Sequence, residues 1–148
     1  MLASKLKINM NKVISNIQMV DLQGQYRKLQ DEIDRAVLDV IRSAAFINGP
    51  AVRDFQAHLE DYLGAARVIP CANGTDALQI ALMALDLKPG DEVIVPAFTY
   101  VATAEVIALL GLEPAMVDVD PDTFNVTADL VAAAVTPRTR AVVPVHLF

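Results

Sequence analysis

The stretch Asp91-Glu92-Val93-Ile94-Val95-Pro96 decides the fold class of this 148-residue chain. Its centre, Val93-Ile94-Val95, is apolar on both faces of a strand, which is typical of a parallel strand that helices cover on two sides. Similar apolar runs predict further strands about 25 residues apart, the length that a strand–helix–strand crossover needs. These strands are expected at 67–71, 92–96, 114–119 and 141–147. The sequence therefore predicts an α/β fold with a mostly parallel sheet and helices on both faces.

Helical periodicity fills the intervals between these strands and also the segment that precedes them. Two helices are expected before the first strand, and the second of them has Pro50 at its first position and Gly64 as its stop. The helices are expected at 25–44, 50–63, 75–87, 100–110 and 128–135. Lys88-Pro89-Gly90-Asp91 is a turn by composition.

Composition excludes several classes of protein. The chain is 54% hydrophobic, which excludes general disorder, and its net charge of −6 argues against a nucleic-acid surface. No apolar run approaches the ~20 residues that a membrane span needs. A lone cysteine, Cys71, excludes an internal disulfide, and the distant His58 and His146 predict no metal site. We expect a soluble, cytoplasmic protein.

Three regions follow from the charge and hydropathy patterns. Residues 1–16 carry three lysines and no acid, so we expect a disordered amino extension in which Met10 is a candidate initiator. Residues 17–64 hold the two amino-terminal helices, and 65–148 hold the first part of an α/β domain. Because the chain stops at a strand without its crossover helix, we expect the sequence to be the amino-terminal part of a longer protein.

The first candidate site lies where the first predicted strand gives way to a helix. The opening turn of a helix presents unpaired N–H groups and a partial positive charge. Gly74 allows close approach of a ligand to the backbone, and Thr75 adds a hydroxyl donor, so the segment is a candidate phosphate site. Alternatively, Asn73 or Thr75 only caps the helix.

The second candidate site follows the next strand, at the edge of the sheet where open α/β proteins bind ligands. Tyr100 near a helix start is suited to lie against a planar ligand. Alternatively, it is a core tyrosine with a satisfied hydroxyl. His146, at the end of the last strand, is either a substrate contact or a structural residue. Asp118, Asp120 and Asp122 lack the pattern of a calcium loop and indicate a strand exit and turn. We expect Cys71 to be a small buried residue and His58 to face solvent.

Taken in order, these segments resemble the DegT/StrS family of pyridoxal-phosphate-dependent nucleotide-sugar aminotransferases. The resemblance runs from about Ile17 to the last residue and implies the large domain of an aspartate aminotransferase-like fold (fold type I), incomplete in this chain. It rests on Phe46-Ile47-Asn48-Gly49-Pro50, Asn73-Gly74-Thr75-Asp76-Ala77-Leu78, Asp91-Glu92-Val93-Ile94-Val95-Pro96 with Thr99-Tyr100, Val117-Asp118-Val119-Asp120, and Pro144-Val145-His146-Leu147.

The resemblance implies roles for these residues and for partners. Gly74, Thr75 and Asp76 match the segment that holds the phosphate of pyridoxal 5'-phosphate, and Tyr100 matches the position that stacks on its ring. Asn48 and Gly49 resemble a segment near the sugar-nucleotide site. The implied partners are a nucleotide sugar, similar to UDP-linked 3-keto-N-acetylglucosaminuronic acid, an amino-acid donor such as glutamate, and a second subunit in a homodimer. The implied process is cell-surface polysaccharide biosynthesis.

One family feature has no counterpart in this chain. The Schiff-base lysine and the carboxylate that pairs with the pyridine nitrogen come after the point that matches Phe148. None of the five lysines follows a strand in a pocket that would lower its pKa. We therefore expect no catalytic residue in this chain and no transamination by it alone. A dehydratase of the same family, with histidine at the lysine position, and a non-catalytic phosphate-binding α/β module are the alternatives.

Overall fold

The structure is a computed structural model that describes residues 19–147. The extension expected at 1–16 lies outside the described residues. The chain forms two compact units, which divide between Val68 and Ile69. The boundary expected after residue 64 falls just before this division.

Residues 19–68 of the first unit contain two helices, α1 (Leu22–Ser43) and α2 (Pro50–Leu63). Helix α1 begins before the expected residue 25 because the Asp21 carboxylate caps it and accepts the Gly24 N–H at 2.8 Å. Helix α2 confirms the prediction at both ends. Pro50 opens it, and Gly64 ends it in the left-handed conformation with φ of 62°.

The second unit confirms the parallel sheet. Its three strands, β1 (Glu92–Pro96), β2 (Glu113–Val117) and β3 (Thr139–Val142), lie in the order β2-β1-β3, with β1 pairing in parallel with each neighbour. The central strand β1 is buried along its whole length, as its double-sided apolar pattern predicts. The crossover helices are α3 (Gly74–Ala84), α4 (Ala102–Leu109) and α5 (Ala128–Ala134). The buried hydrophobic residues among those described are Leu82, Val93, Ile94, Val95, Ala102, Val106, Ile107, Leu112 and Val117.

Two of the strand predictions are wrong. Residues 67–71 form no strand, since no described strand pairs with them, and Ile69 is 76% exposed. Strand β3 ends at Val142 and not at residue 147, although the Val143 N–H still donates to the Ile94 carbonyl at 2.9 Å. Strand β3 is an edge strand among those described, and Val142 on it is 42% exposed.

The isolated polar residues divide between confirmed and wrong predictions. Cys71 is exposed and not buried, because it lies in the loop before α3 and not in a strand. His58 is exposed, as expected. The segment after β2 is a turn in which the Asp120 carboxylate accepts the N–H groups of Asp122 and Thr123 at 3.0 and 2.9 Å. These bonds lower the pKa of Asp120.

Two classes of feature are absent from residues 19–147. No cluster of three or more His, Cys, Asp or Glu side chains in this part of the chain is arranged to hold a metal ion. No helix described there is long and apolar enough to cross a membrane.

Candidate functional site

At the start of α3, one side chain caps the helix, and other hydrogen-bond donors have no partner among the described residues. The Asn73 side chain accepts the Asp76 N–H at 3.0 Å and donates to the Asp76 carboxylate at 3.2 Å. The Ala77 N–H donates to the Asn73 carbonyl at 3.1 Å. In contrast, the N–H groups of Gly74 and Thr75 and the Thr75 hydroxyl have no hydrogen-bond partner in the described part of the chain. The two interpretations of this segment are therefore compatible, because Asn73 is the cap and the next two residues remain available to a ligand.

The backbone at Gly74 is open to approach. A Cβ added there would meet no described atom within 4 Å. The free N–H groups carry the positive end of the helix dipole, and a helix N-terminus of this kind favours an anion such as a phosphate.

The loop after β1 presents Tyr100. The Ala97 N–H donates to the Val117 carbonyl at 2.7 Å, which fixes the beginning of this loop against the end of β2. The Thr103 N–H donates to the Tyr100 carbonyl at 3.3 Å, so a tight turn leads from Tyr100 into α4. The Tyr100 side chain is 76% exposed, which excludes the alternative of a core tyrosine.

A cleft of about 670 Å³ lies between the α3 start, the β1–α4 loop and the segment after β3. Small-molecule sites typically have volumes of about 300–1,000 Å³. All of its lining residues belong to the second unit. They are Asn73, Gly74, Thr75, Leu78, Thr99, Tyr100, Ala102, Thr103, Val143, Pro144, Val145 and His146.

The cleft brings together most of the predicted site residues of the second unit. Gly74, Thr75, Tyr100 and His146 all line it, whereas Asp76 does not; its amide and carboxylate are bonded to Asn73. Asn73 was predicted only as a cap, yet it lines the cleft as well.

Asn48 and Gly49 belong to the first unit, and their role in substrate binding stays a prediction. Gly49 has a structural explanation of its own. A Cβ at this position would lie 2.1 Å from the Ala45 carbonyl oxygen, so the close approach of the two backbone segments requires glycine. The Asn48 carbonyl accepts the Arg53 guanidinium at 3.0 Å.

The second candidate segment, residues 96–104, contains Thr99 and Thr103, but sequence reasoning assigned a role to neither of these lining residues. Thr99 directly precedes Tyr100. Thr103 follows Tyr100 by one tight turn, and this spacing brings Tyr100 and Thr103 to the same side of the helix start. The lining contains no lysine and no carboxylate among the described residues, and Tyr100 and His146 are its titratable side chains. This part of the cleft therefore offers hydrogen-bond donors and an exposed aromatic ring to a ligand.

Comparison with known proteins gives the family. The sequence profile described as "DegT/DnrJ/EryC1/StrS aminotransferase family" matches residues 27–148. The chain belongs to this family. It is 52% identical over 132 residues to the UDP-2-acetamido-2-deoxy-3-oxo-D-glucuronate aminotransferase of Pseudomonas aeruginosa, a match that covers 89% of this chain and 37% of that protein.

Two solved structures of the family have the same fold. A DegT/DnrJ/EryC1/StrS aminotransferase from Brucella abortus has a TM-score of 0.84 at 42% identity, over 89% of this chain and 37% of that one. NtdA from Bacillus subtilis, solved with bound cofactor PMP, has a TM-score of 0.77 at 38% identity, over 81% and 28% of the two chains. The predicted aspartate aminotransferase-like fold is confirmed, and this chain spans between 28% and 37% of the length of these three relatives.

Proposed function

We propose that this chain is the amino-terminal portion of a pyridoxal-phosphate-dependent aminotransferase that acts on a keto-sugar nucleotide. The observation that carries the proposal is the cleft in which the free donors of the α3 start and the exposed ring of Tyr100 line one space. The volume and donors of the cleft fit a planar cofactor that carries a phosphate. The PMP bound to a relative at 38% identity supports the same assignment.

Each described residue has a defined role in this proposal. The N–H groups of Gly74 and Thr75 and the Thr75 hydroxyl hold the phosphate, while Asp76 fixes Asn73 and thereby the first turn of α3. Tyr100 orients the ring of the cofactor by stacking. When bound, the cofactor supplies the electron sink for amino transfer.

The lysine that carries the cofactor is not among the described residues of the cleft. Lys28 lies on α1, and Lys88 lies in a turn where it pairs with Asp86 at 2.7 Å. Neither lysine lines the cleft, and the family resemblance puts the Schiff-base lysine after the point that matches Phe148. We therefore propose that this lysine lies outside the chain and that the 148 residues alone do not transaminate.

The substrate proposal follows from the 52% identity to an aminotransferase named for a UDP-linked 3-oxo sugar acid. We propose a UDP-linked 3-keto sugar as the acceptor, with glutamate as donor, and Asn48, Gly49 and His146 as candidate substrate contacts. We further propose a cytoplasmic homodimer that serves polysaccharide biosynthesis, as the family resemblance implies.

A dehydratase would leave the substrate without a new amine, and a non-catalytic module would release no 2-oxo acid, so product analysis distinguishes all three.

The experiment uses the product of the full reading frame and two variants. Thr75→Val keeps the shape of the side chain and removes a hydrogen bond to a charged group, worth roughly 1.5–3 kcal/mol. Its affinity for pyridoxal phosphate should fall about 10- to 100-fold, and excess cofactor should restore activity. Tyr100→Ala should instead lower turnover even at saturating cofactor.

Titration of each apo variant by absorbance and by activity separates the two roles. His58→Gln, an exposed change in the first unit and outside the lining of the cleft, is the control and should behave as the parent does. If Thr75→Val binds the cofactor as tightly as the parent, the phosphate assignment is wrong.

A further inference from the structure

Thr103 carries a hydroxyl group that the fold does not use. The residue is only 6% exposed, yet its hydroxyl makes no hydrogen bond to any residue between 19 and 147. Threonine in a helix commonly donates to a carbonyl three or four residues earlier, and Thr103 does not do so. A hydroxyl in an apolar site costs free energy unless it has a partner, so the partner of this one must be water in the cleft or a bound group that is not among the described residues.

This hydroxyl opens onto the cleft. No side-chain oxygen in the described part of the chain is both fully buried and without a partner, so the Thr103 hydroxyl must keep contact with open space. Thr103 lines the cleft together with Tyr100, and the tight turn between them brings the two residues to the same side of the α4 start. The phosphate donors, in contrast, lie on a different helix, at the start of α3.

We propose that the Thr103 hydroxyl is a further positioning group of the cleft, which hydrogen-bonds the polar edge of the bound cofactor ring and not its phosphate. This inference rests on the proposed function. Stacking on Tyr100 places the ring beside the turn that carries Thr103, and a hydroxyl at this point offers one donor and two acceptor lone pairs to the ring's oxygen or nitrogen atoms. Together, Tyr100 fixes the plane of the ring and Thr103 fixes its rotation within that plane.

The test compares ligands with and without the phosphate, using the product of the full reading frame. Thr103→Val should weaken binding of both pyridoxal phosphate and phosphate-free pyridoxal about tenfold, as expected for one lost hydrogen bond with its partner left unpaired. Competition by inorganic phosphate should not change. Thr75→Val should show the opposite pattern, with weaker binding of pyridoxal phosphate and unchanged binding of pyridoxal. Thr103→Ser should restore both affinities.

The melting temperature of the apo protein separates ligand binding from a structural role. Because the Thr103 hydroxyl opens onto the cleft and bonds no described residue, its removal takes no hydrogen bond from the fold, and apo Thr103→Val should melt at about the parent temperature. Thr103→Ala, which cannot overpack the site, is a second variant without the hydroxyl and should lose the same affinities.

Four outcomes overturn the inference. Unchanged affinities would contradict it, and so would a loss of affinity for pyridoxal phosphate alone. It would also be contradicted if apo Thr103→Val melted at a lower temperature and its folded fraction bound both ligands as tightly as the parent does. All three outcomes leave the proposed function intact. Failure of the parent protein to bind pyridoxal phosphate would instead overturn the proposed function and this inference with it.

Discussion

Gly49 and Gly74 both precede or open a helix, but the structure requires glycine at only one of them. At Gly49 a Cβ would lie 2.1 Å from a backbone oxygen, whereas at Gly74 it would meet nothing within 4 Å among the described residues. Gly49 is thus explained by the packing of its own backbone. Gly74 has no such explanation, which supports an interpretation in which a ligand occupies the open space above it.

Alanine substitutions at the two positions should therefore have opposite effects. Gly49→Ala should destabilise the protein by roughly 1–3 kcal/mol, because backbone atoms must move to admit the methyl group. Gly74→Ala should leave the apo protein as stable or raise its stability by up to about 1 kcal/mol, since alanine restricts the unfolded chain. Chemical denaturation measures both values.

Cofactor titration completes this comparison. Gly74→Ala should weaken the binding of pyridoxal phosphate, whereas Gly49→Ala should not do so at temperatures where it is folded. A destabilised Gly74→Ala apo protein would show that Gly74 is needed by the fold and not by the ligand.

At the scale of elements, Glu92 joins the start of β1 to the turn before β3. It is 7% exposed and accepts hydrogen bonds from the Thr136 and Thr139 hydroxyls, and the Arg138 guanidinium pairs with it. The Glu92 N–H also donates to the Arg138 carbonyl at 2.9 Å. The Thr136 hydroxyl, followed by the charge of Arg138, lowers the pKa of Glu92 below its ordinary value of 4.5.

This lowered pKa predicts a dependence of stability on pH. The unfolded chain takes up the proton at a higher pH than the folded chain, so the contribution of Glu92 is fully present above about pH 5 and is lost as the pH falls below 4.5. Glu92→Gln should lower the melting temperature at neutral pH, and its difference from the parent should shrink as the pH approaches about 3.5.

Thermal melts between pH 7 and about pH 3.5 measure this difference, with Glu113→Gln at the exposed start of β2 as the matched control. The control should track the parent at every pH. A difference for Glu92→Gln that stays constant over the whole range would show that the ionised carboxylate contributes nothing.

The elements that could be predicted from sequence are those whose causes are local. The turn of Lys88-Pro89-Gly90-Asp91 is set by Gly90 at φ of 89°, and α2 is bounded by its own proline and glycine. Residues 67–71 have the composition of a strand, but a strand also needs a neighbour, and none of the described strands supplies one. The same non-local requirement explains why β3 was expected to be too long.

The features of the candidate site also divide into those with local causes and those with non-local causes. The free donors at Gly74 and Thr75 follow from their place at a helix start, so the sequence could predict these donors, while their binding of a phosphate stays a prediction. The role proposed for Thr103 could not be predicted, because the sequence of an apolar helix does not show whether a threonine hydroxyl within it has a hydrogen-bond partner. The exposure of Cys71 was likewise mispredicted, since its expected burial depended on a strand that does not form.

At the scale of the whole molecule, the described chain exposes much apolar surface. On α1, Leu29, Val37 and Ile41 are 45%, 53% and 55% exposed, and on the edge strands Met116 and Val142 are 65% and 42% exposed. Contiguous apolar patches and unpaired strand edges are features that promote association with another surface.

The 148-residue chain expressed alone should therefore self-associate at micromolar concentration and bind a hydrophobic dye such as ANS. Light scattering coupled to size exclusion measures the association, and the product of the full reading frame is the comparison.

Val142→Lys places a charge on the exposed edge of β3 and should slow the association, because charged residues block edge-to-edge pairing of strands. Thr123→Lys, in the exposed turn after β2, adds the same charge away from any edge and should have no such effect. A monodisperse monomer that melts cooperatively would show that these surfaces need no partner, and the prediction would then be wrong.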